Sequence, residues 1–132
     1  MKKLNFIVLL IFMVGIFPSL SQSKDITEDI GNALSTGNSG VLARYFGKSL
    51  ELVLLEKDEV FSKEQAQVII DNFFKKNKPS GFTFQHKGGP EDARFAVGTL
   101  TSSTGNFRIY FLLKKLNEKS YIHLLRIEKE DK

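Results

Sequence analysis

The chain has no cysteine and no tryptophan, and only two histidines among its 132 residues. Without cysteine it can form neither a disulfide nor a bacterial lipid anchor, so its stability must come from the burial of apolar side chains. Two histidines without any cysteine also argue against a structural zinc site. We therefore predict that the protein holds neither a metal nor a cofactor.

Catalytic motifs with a recognisable spacing are missing as well. The sequence contains no nucleophile elbow, Walker loop, HExxH motif, dinucleotide-binding glycine pattern or EF-hand loop. The enzyme classes that depend on these motifs are excluded. With 42% hydrophobic and 26% charged residues, the composition is that of an ordinary globular domain.

The apolar run at the N-terminus is too short to span a membrane. It extends from Phe6 to Phe17, follows Lys2 and Lys3, and is followed by the small and polar segment Pro18–Ser23. A transmembrane helix needs roughly 20 apolar residues. A basic start, a shorter apolar run and a small polar segment are instead typical of a secretory signal peptide.

We therefore expect residues 1–23 to be a signal peptide that is cleaved after Ser21 or Ser23. Residues 24–132 would then form one domain beyond the cytoplasmic membrane, either periplasmic or secreted, with no stable membrane insertion after cleavage. An uncleaved N-terminal anchor is the alternative interpretation.

The positive charge is too small to indicate a nucleic-acid partner. The chain has 19 lysines and arginines against 15 acidic residues, and two of the lysines precede the expected cleavage site. Proteins that bind nucleic acid usually cluster basic residues on one face. The run Lys75–Lys78 fits the end of a helix, and Lys114–Lys115 fits the end of a strand. We expect no nucleic acid to bind.

Two short helices are predicted after the signal peptide. Asp25 and Glu28 have the spacing of a capping box for the first helix, which Gly37 can end. A second helix would begin near Asn38 and continue to Gly47. Helices of this length are unstable alone, so both must pack on other elements.

The next segment predicts one strand and one long helix. Leu50–Leu55 is short and apolar, as expected of a buried strand, and Lys57–Glu59 is predicted to be a polar turn. Ser62 and Gln65 form a second capping box. The helix that follows places apolar residues on one side, and Pro79 prevents its continuation.

From Gly81 the hydrophobic period changes from 3.6 to 2, which predicts strands. Four strands are expected, joined by short turns and paired antiparallel with their neighbours in sequence: Gly81–Lys87, Arg94–Leu100, Asn106–Lys115 and Ser120–Glu128. A sheet with one apolar face needs a cover, and the helices are available to provide it. The sequence thus predicts an α+β fold with the helices packed in the concave face of a curved antiparallel sheet.

This order of elements resembles the nuclear-transport-factor-2-like, or cystatin-like, cone fold. Several segments resemble an uncharacterised family of exported bacterial proteins, the domain of unknown function DUF4783. The segments are Ile30–Leu34, Gly40–Phe46, Ser62–Gln67, Phe73–Phe74, Phe84–Gly88, Ala96–Leu100 and Gly105–Tyr110. The resemblance implies the cone fold but no activity. Cone proteins include isomerases, dehydratases and hydrolases as well as binding proteins, so the fold does not choose a function.

A pocket in the cone is the first candidate site. Phe82, Phe84 and His86 alternate on one predicted strand and should share a face. The expected lining of a pocket for a small apolar ligand is Phe73, Phe82, Phe84, His86, Phe95 and Phe107. His86 could serve as a general base, alone or with Asp92 from the following loop. The plainer interpretations are a solvated strand-end histidine and a turn aspartate, and His123 is expected in the core beside Tyr121 and Leu125.

The outer sheet face is the second candidate. Arg108 and Tyr110 share one side of their strand, and Arg94 and Arg126 on neighbouring strands could extend a polar stripe. Ile122, Leu124 and Leu112 are expected on this face too. A face that mixes apolar, Arg and Tyr residues favours a protein interface, and we expect a homodimer through it. An ordinary solvated face is the alternative.

Three functions remain open from the sequence. The leading hypothesis is an exported, non-catalytic binding module, because no constellation of catalytic side chains is present. The second is a small isomerase or dehydratase that uses His86 or Asp92 as its base. The third is an envelope-associated structural partner that dimerises or docks through the arginine face.

Overall fold

The computed structural model describes residues 25–131, so the expected signal peptide lies outside the described residues. The helices are α1 Ile26–Thr36, α2 Ser39–Ala43 and α3 Lys63–Lys76. The strands are β1 Phe46–Leu54, β2 Lys57–Ser62, β3 Pro79–Gly88, β4 Phe95–Ser102, β5 Gly105–Leu116 and β6 Lys119–Lys129. Across residues 25–131, none of the helices combines the length and apolar character needed to cross a membrane.

The first helix is capped at both ends, but only half of the predicted capping box forms. The Thr27 N–H donates to Asp25 Oδ1 over 3.0 Å. The Glu28 carboxylate does not reach back to the cap and instead pairs with Lys87 on β3. Gly37 ends the helix in the left-handed conformation, at φ 67°, as the sequence predicts.

The capping box of α3 is confirmed. Ser62 Oγ accepts from the Gln65 N–H, and Gln65 Oε1 accepts from the Ser62 N–H, each over 3.2 Å. The helix ends at Asn77, whose N–H donates to the Phe73 carbonyl. Its buried side carries Ala66, Ile70, Phe73 and Phe74, as the helical spacing of the apolar residues indicates.

The six strands form one sheet in the order β2-β1-β6-β5-β4-β3. The antiparallel pairing of β3 to β6 with their sequence neighbours is confirmed. Strand β1 pairs with the last strand, β6, in parallel, and β2 pairs with β1 at the edge. The parallel pairing joins the beginning of the domain to its end.

Two predicted boundaries in this region are wrong. The second helix ends at Ala43 rather than Gly47, because the Tyr45 carbonyl accepts from the Ile122 N–H over 2.7 Å and starts strand pairing. The predicted turn Lys57–Glu59 belongs to β2. The chain turns earlier, where Leu55 adopts a φ of 59°.

The helices cover the concave side of the sheet, as predicted. Helix α1 packs on β3 and β4, and α3 packs on α2, β1 and β2. The core between them is built from apolar side chains, and the buried polar residues of the described chain are Thr27 and Ser39. Its largest fully buried side chains are Phe46, Phe111, Ile30, Leu34, Leu42, Leu50, Leu52, Ile70, Leu100, Ile109, Ile122 and Leu125.

A bulge in β3 turns His86 to the other side of the sheet. Phe84 pairs with Gly98, whereas His86 pairs with Val97, so Gln85 is the extra residue. One extra residue reverses the alternation of side chains. The prediction that His86 shares a face with Phe82 and Phe84 is therefore wrong, and His86 lies on the convex face, the side away from the helices.

A second bulge has the same effect at His123 on β6. Leu124 pairs with Leu112 and Ile122 pairs with Leu113, which leaves His123 without a place in the ladder. Ile122 and Leu125 are both fully buried, and His123 is exposed. The expected places of His123 in the core and of Ile122 on the outer face are thus both wrong.

Candidate functional site

The aromatic residues expected to line a pocket fill much of the concave side themselves. Phe73 and Phe107 are each 6% exposed. Their ring centroids lie 5.0 Å apart in an edge-to-face arrangement, which is favourable for aromatic pairs. These two side chains are packing partners in the core.

Phe82 and Phe84 close the same side beneath α1. Their ring centroids lie 4.9 Å apart, also edge to face. Gly31 allows α1 to approach this pair, because a Cβ at that position would lie 2.7 Å from the Phe84 ring. Ligand binding by these aromatic residues stays a prediction.

His86 and Phe95, the other two expected pocket residues, lie on the convex face. Their ring centroids are 5.4 Å apart, and the Phe95 ring stacks on Tyr110 at 6.0 Å and 28°. Phe95 and Tyr110 are half-buried, and His86 is exposed. The three rings form an aromatic row across β3, β4 and β5 that the sequence did not predict, and the bulge at Gln85 adds His86 to it.

Asp92 lies in the exposed loop between β3 and β4. Its carbonyl accepts from the Lys115 N–H over 3.1 Å, and the Ala93 N–H closes a turn onto the Pro90 carbonyl over 3.0 Å. The loop therefore has the turn structure that its Gly, Pro and Asp residues favour. Neither Asp92 nor His86 faces the buried concave side, where a pocket base would have to act.

Three of the four predicted interface residues lie together on the convex face. Tyr110 on β5 pairs with Arg126 on β6. Arg108 pairs with Glu128, two residues away along each strand. The Arg126 Nε lies 3.6 Å from Glu128 Oε1. The shared face of Arg108 and Tyr110, and the addition of Arg126 to it, are as predicted.

Arg94 does not join this stripe. It precedes Phe95 at the start of β4 and so alternates to the opposite side, and its Nη1 donates to the Gly89 carbonyl over 3.3 Å. It also lies near Asp25, whose pKa is lowered chiefly by hydrogen bonds from Thr27 and further by the charges of Lys87 and Arg94. The predicted position of Arg94 on the outer face is wrong.

Apolar side chains continue the convex face beside the aromatic row. Phe95, Leu112 and Leu124 are directly opposite one another on β4, β5 and β6. Val97 lies next to Tyr110, and Val53 on β1 lies next to Arg126. Val53 is 9% exposed and the other apolar side chains are half-buried, and all lie on the side of the sheet away from the helices α1 to α3. Besides His86, the convex face thus carries the following side chains: Phe95, Val97, Arg108, Tyr110, Leu112, Leu124 and Arg126.

A pair of carboxyl groups borders the convex face at β1 and β2. The pKa of Glu51 is raised by a hydrogen bond with Asp58 and by the negative charge of Asp58, against smaller opposing effects of Arg126 and His123. This pair is not predictable from the sequence, in which Lys57–Glu59 has the pattern of a polar turn. Its presence places two repelling acidic groups beside the arginine stripe.

The Glu51–Asp58 pair predicts a pH-dependent stability. Because the folded pKa of Glu51 is raised, its contribution to stability is present below the unfolded pKa and is lost as pH rises through the folded pKa. Glu51→Gln removes this repulsion and is expected to raise the thermal midpoint at about pH 7 and to leave it nearly unchanged at about pH 3. Circular dichroism melting at both pH values measures the difference.

Glu59→Gln is the matched control, since it removes one charge from β2 on the opposite side of the strand. An equal gain from both variants at neutral pH would mean that net charge, and not the Glu51–Asp58 contact, sets the effect.

Within residues 25–131, no three His, Asp or Glu side chains are grouped so that they could hold a metal ion. The convex face presents aromatic, apolar and guanidinium groups. Aromatic and arginine side chains are enriched in protein interfaces.

Comparison with known proteins identifies the family of this chain. The family model of the domain of unknown function DUF4783 matches residues 27–128. No curated protein matches the chain. The chain is 34% identical to a DUF4783 family protein of known structure from Bacteroides ovatus, with a TM-score of 0.79, covering 83% of this chain and 100% of that one.

Two further structures define the family and the fold. A DUF4783 family protein from Bacteroides fragilis is 37% identical, with a TM-score of 0.76, covering 80% of this chain and 100% of that chain. A nuclear-transport-factor-2-like protein of unknown function from Cytophaga hutchinsonii is 10% identical at a TM-score of 0.60, covering 84% and 94%. The fold is therefore nuclear-transport-factor-2-like, and the chain belongs to the DUF4783 family.

Proposed function

We propose that this protein is an exported, non-catalytic interaction module that self-associates through the convex face. The observation that carries the proposal is the continuous aromatic and apolar surface on that face, which none of the helices α1 to α3 covers. Exposed patches of this kind mark interaction sites in soluble proteins.

The composition of the convex face suits a protein partner. Protein interfaces are enriched in Tyr, Phe and Arg, and their arginines form bidentate contacts with carboxylates. Here the stacked Phe95 and Tyr110 rings are rigid, half-buried anchors, so little conformational entropy is lost when they are covered. Arg108 and Arg126 border them with exposed side chains, and Arg126 also lies 3.6 Å from Glu128 of the same strand.

The charges favour a second copy of the chain as the partner. A twofold interface is self-complementary, so the positive part of one face meets the negative part of the other. Arg108 and Arg126 supply the positive part, and Glu51 and Asp58 supply the negative part. An arginine of the second copy would relieve the repulsion between these two carboxyl groups, which folding alone leaves in place.

Catalysis in the cone has no comparable support. It requires polar groups that converge on a substrate proton, whereas His86 lies exposed on the convex face and Asp92 in an exposed loop. The concave side is occupied by packed aromatic rings. Binding of a small apolar ligand there is less well supported than association through the convex face. An envelope-associated partner protein could also bind to the convex face.

The experiment is native mass spectrometry of protein expressed from the full-length sequence and purified without denaturant. The expected result is a dimer for the unmodified protein and a monomer for Arg108→Glu, because charge reversal places like charges across the interface. The protomer mass also reports cleavage, with loss of the residues up to Ser21 or Ser23 expected. A co-purifying small mass would favour a ligand-binding role.

Lys129→Glu is the matched control. It reverses one charge on β6 but pairs with Phe107 and so lies on the other side of the sheet. It should remain a dimer, and all three proteins should melt at similar temperatures. A monomer of unmodified protein at every accessible concentration, or a dimer of Arg108→Glu as stable as that of the control, would exclude this interface.

A further inference from the structure

A groove lies beside a shift in register between β1 and β6. The two strands pair at Phe46–Ile122 and again at Glu51–Leu124, so Gly47–Leu50 of β1 lies opposite His123 alone. The unequal lengths prevent continuous pairing of the backbones. The groove at this part of the surface has a volume of about 610 Å³. This volume lies within the range of small-molecule binding sites.

The floor of the groove is apolar. It is formed by Phe46 and Ile122 from the edge of the core and by Tyr121 and Leu116. Phe46 and Ile122 are almost fully buried, whereas Leu116 is 66% exposed. An exposed leucine beside a concave apolar surface gains from being covered by an apolar group.

The rim of the groove is positive. Four lysines and one histidine line it, and its lining contains no acidic residue: Lys48, Lys63, Lys114, Lys115 and His123. Lys115 pairs with Glu91 over 3.5 Å. Lys48, Lys63 and Lys114 form no ion pair with any other residue of 25–131. A cleft lined by charges of one sign concentrates ions of the opposite sign.

From these observations we infer that the groove binds a small, free amphipathic anion, with its carboxylate or sulfate headgroup among the lysines and its apolar body against Leu116 and Tyr121. Lysine is a compact point charge that does not demand a planar partner, so either headgroup satisfies it. An inorganic ion would leave the apolar floor of the groove uncovered, whereas an amphipathic anion covers it. The inference is independent of association through the convex face.

The test is a titration of the isotope-labelled protein with sodium octanoate, followed by amide NMR shifts. Shifts are expected at Gly47, Ser49, Leu116 and Ile122, which line the groove. The neutral analogue 1-octanol should bind about tenfold more weakly, because it lacks the charge. Raising the salt concentration should weaken octanoate binding, since the lysines are exposed.

Two double variants separate the groove from general charge. Lys48→Glu with Lys114→Glu should weaken octanoate binding by about tenfold or more. Lys76→Glu with Lys129→Glu makes the same charge change elsewhere and should alter affinity by less than about twofold. Leu116→Ser should weaken the binding of octanoate but leave the dependence of that binding on salt concentration unchanged. This variant therefore tests the apolar contact separately from the charges.

Three outcomes would overturn the proposal. Equal binding of 1-octanol and octanoate would show that the lysines do not contribute to binding. Equal effects of the two double variants would show that octanoate does not bind in the groove. Tighter binding to anionic phospholipid vesicles than to free octanoate, with the same dependence on Lys48 and Lys114, would identify a membrane surface as the ligand. Similar melting temperatures of all variants would show that each is folded.

Discussion

Replacing Phe73 by alanine is expected to lower the free energy of unfolding by roughly 3–5 kcal/mol, the range measured for large buried aromatic side chains. The ring is 6% exposed and lies against Phe74 and Phe107, with centroids at 6.0 and 5.0 Å. Its loss removes apolar burial and leaves a cavity between α3 and β5, because the surrounding side chains relax only in part.

Urea unfolding followed by circular dichroism measures this difference. Val68→Ala is the control, since Val68 lies on the same helix and is 61% exposed. Its cost should be within about 0.5 kcal/mol, as for other surface substitutions. If Phe73→Ala cost less than about 1 kcal/mol, the site would collapse without a cavity and Phe73 would not anchor α3 to the sheet.

Gly98→Ala is the second large expected effect. A Cβ at Gly98 would lie 2.6 Å from the Thr83 carbonyl oxygen and would also collide with the tip of the Phe82 ring. The ring can rotate, but the carbonyl belongs to the β3 backbone that pairs with β4, so the strands must move apart. Such overpacking typically costs about 1–3 kcal/mol and occasionally more.

Gly81→Ala is the matched control for this strand pair. A Cβ at Gly81 meets no atom within 4 Å, so its substitution should be neutral or slightly stabilising. Phe82→Leu added to Gly98→Ala should recover little, because the Thr83 carbonyl stays in place. Full recovery of stability in that double variant would mean that the collision with the Phe82 ring causes the loss. Equal melting temperatures of the two single glycine variants would refute the close contact between position 98 and the Thr83 carbonyl.

The elements with strong local signals are the ones that the sequence predicted. The capping box of Ser62 and Gln65 set the start of α3, and the strict alternation around Phe107, Ile109 and Phe111 set the face of β5. Those signals lie within a few residues of each other. They are therefore readable without the rest of the structure.

The candidate site was less predictable because it depends on pairing between distant strands. The bulge at Gln85 moved His86 to the convex face, and the sequence alternates normally there. Strand β2 was missed because its first residues are charged, as edge strands often are. In the sequence, Lys114 and Lys115 fit the end of a strand, and nothing near them points to Lys48. The folded sheet brings Lys48 and Lys114 to the lining of one groove, beside the register shift between β1 and β6.

The parallel pairing of β1 with β6 has a consequence for the timing of folding. During synthesis β1 emerges before its partner, Lys119–Lys129, because β2, α3 and β3 to β5 lie between the two strands in the sequence. Until β6 has emerged, one edge of β1 has no neighbour, and the buried Leu52 lacks Leu125, the residue with which it pairs on β6. Because contacts of such long sequence separation form slowly, the pairing of β1 with β6 is expected to be a late step of folding.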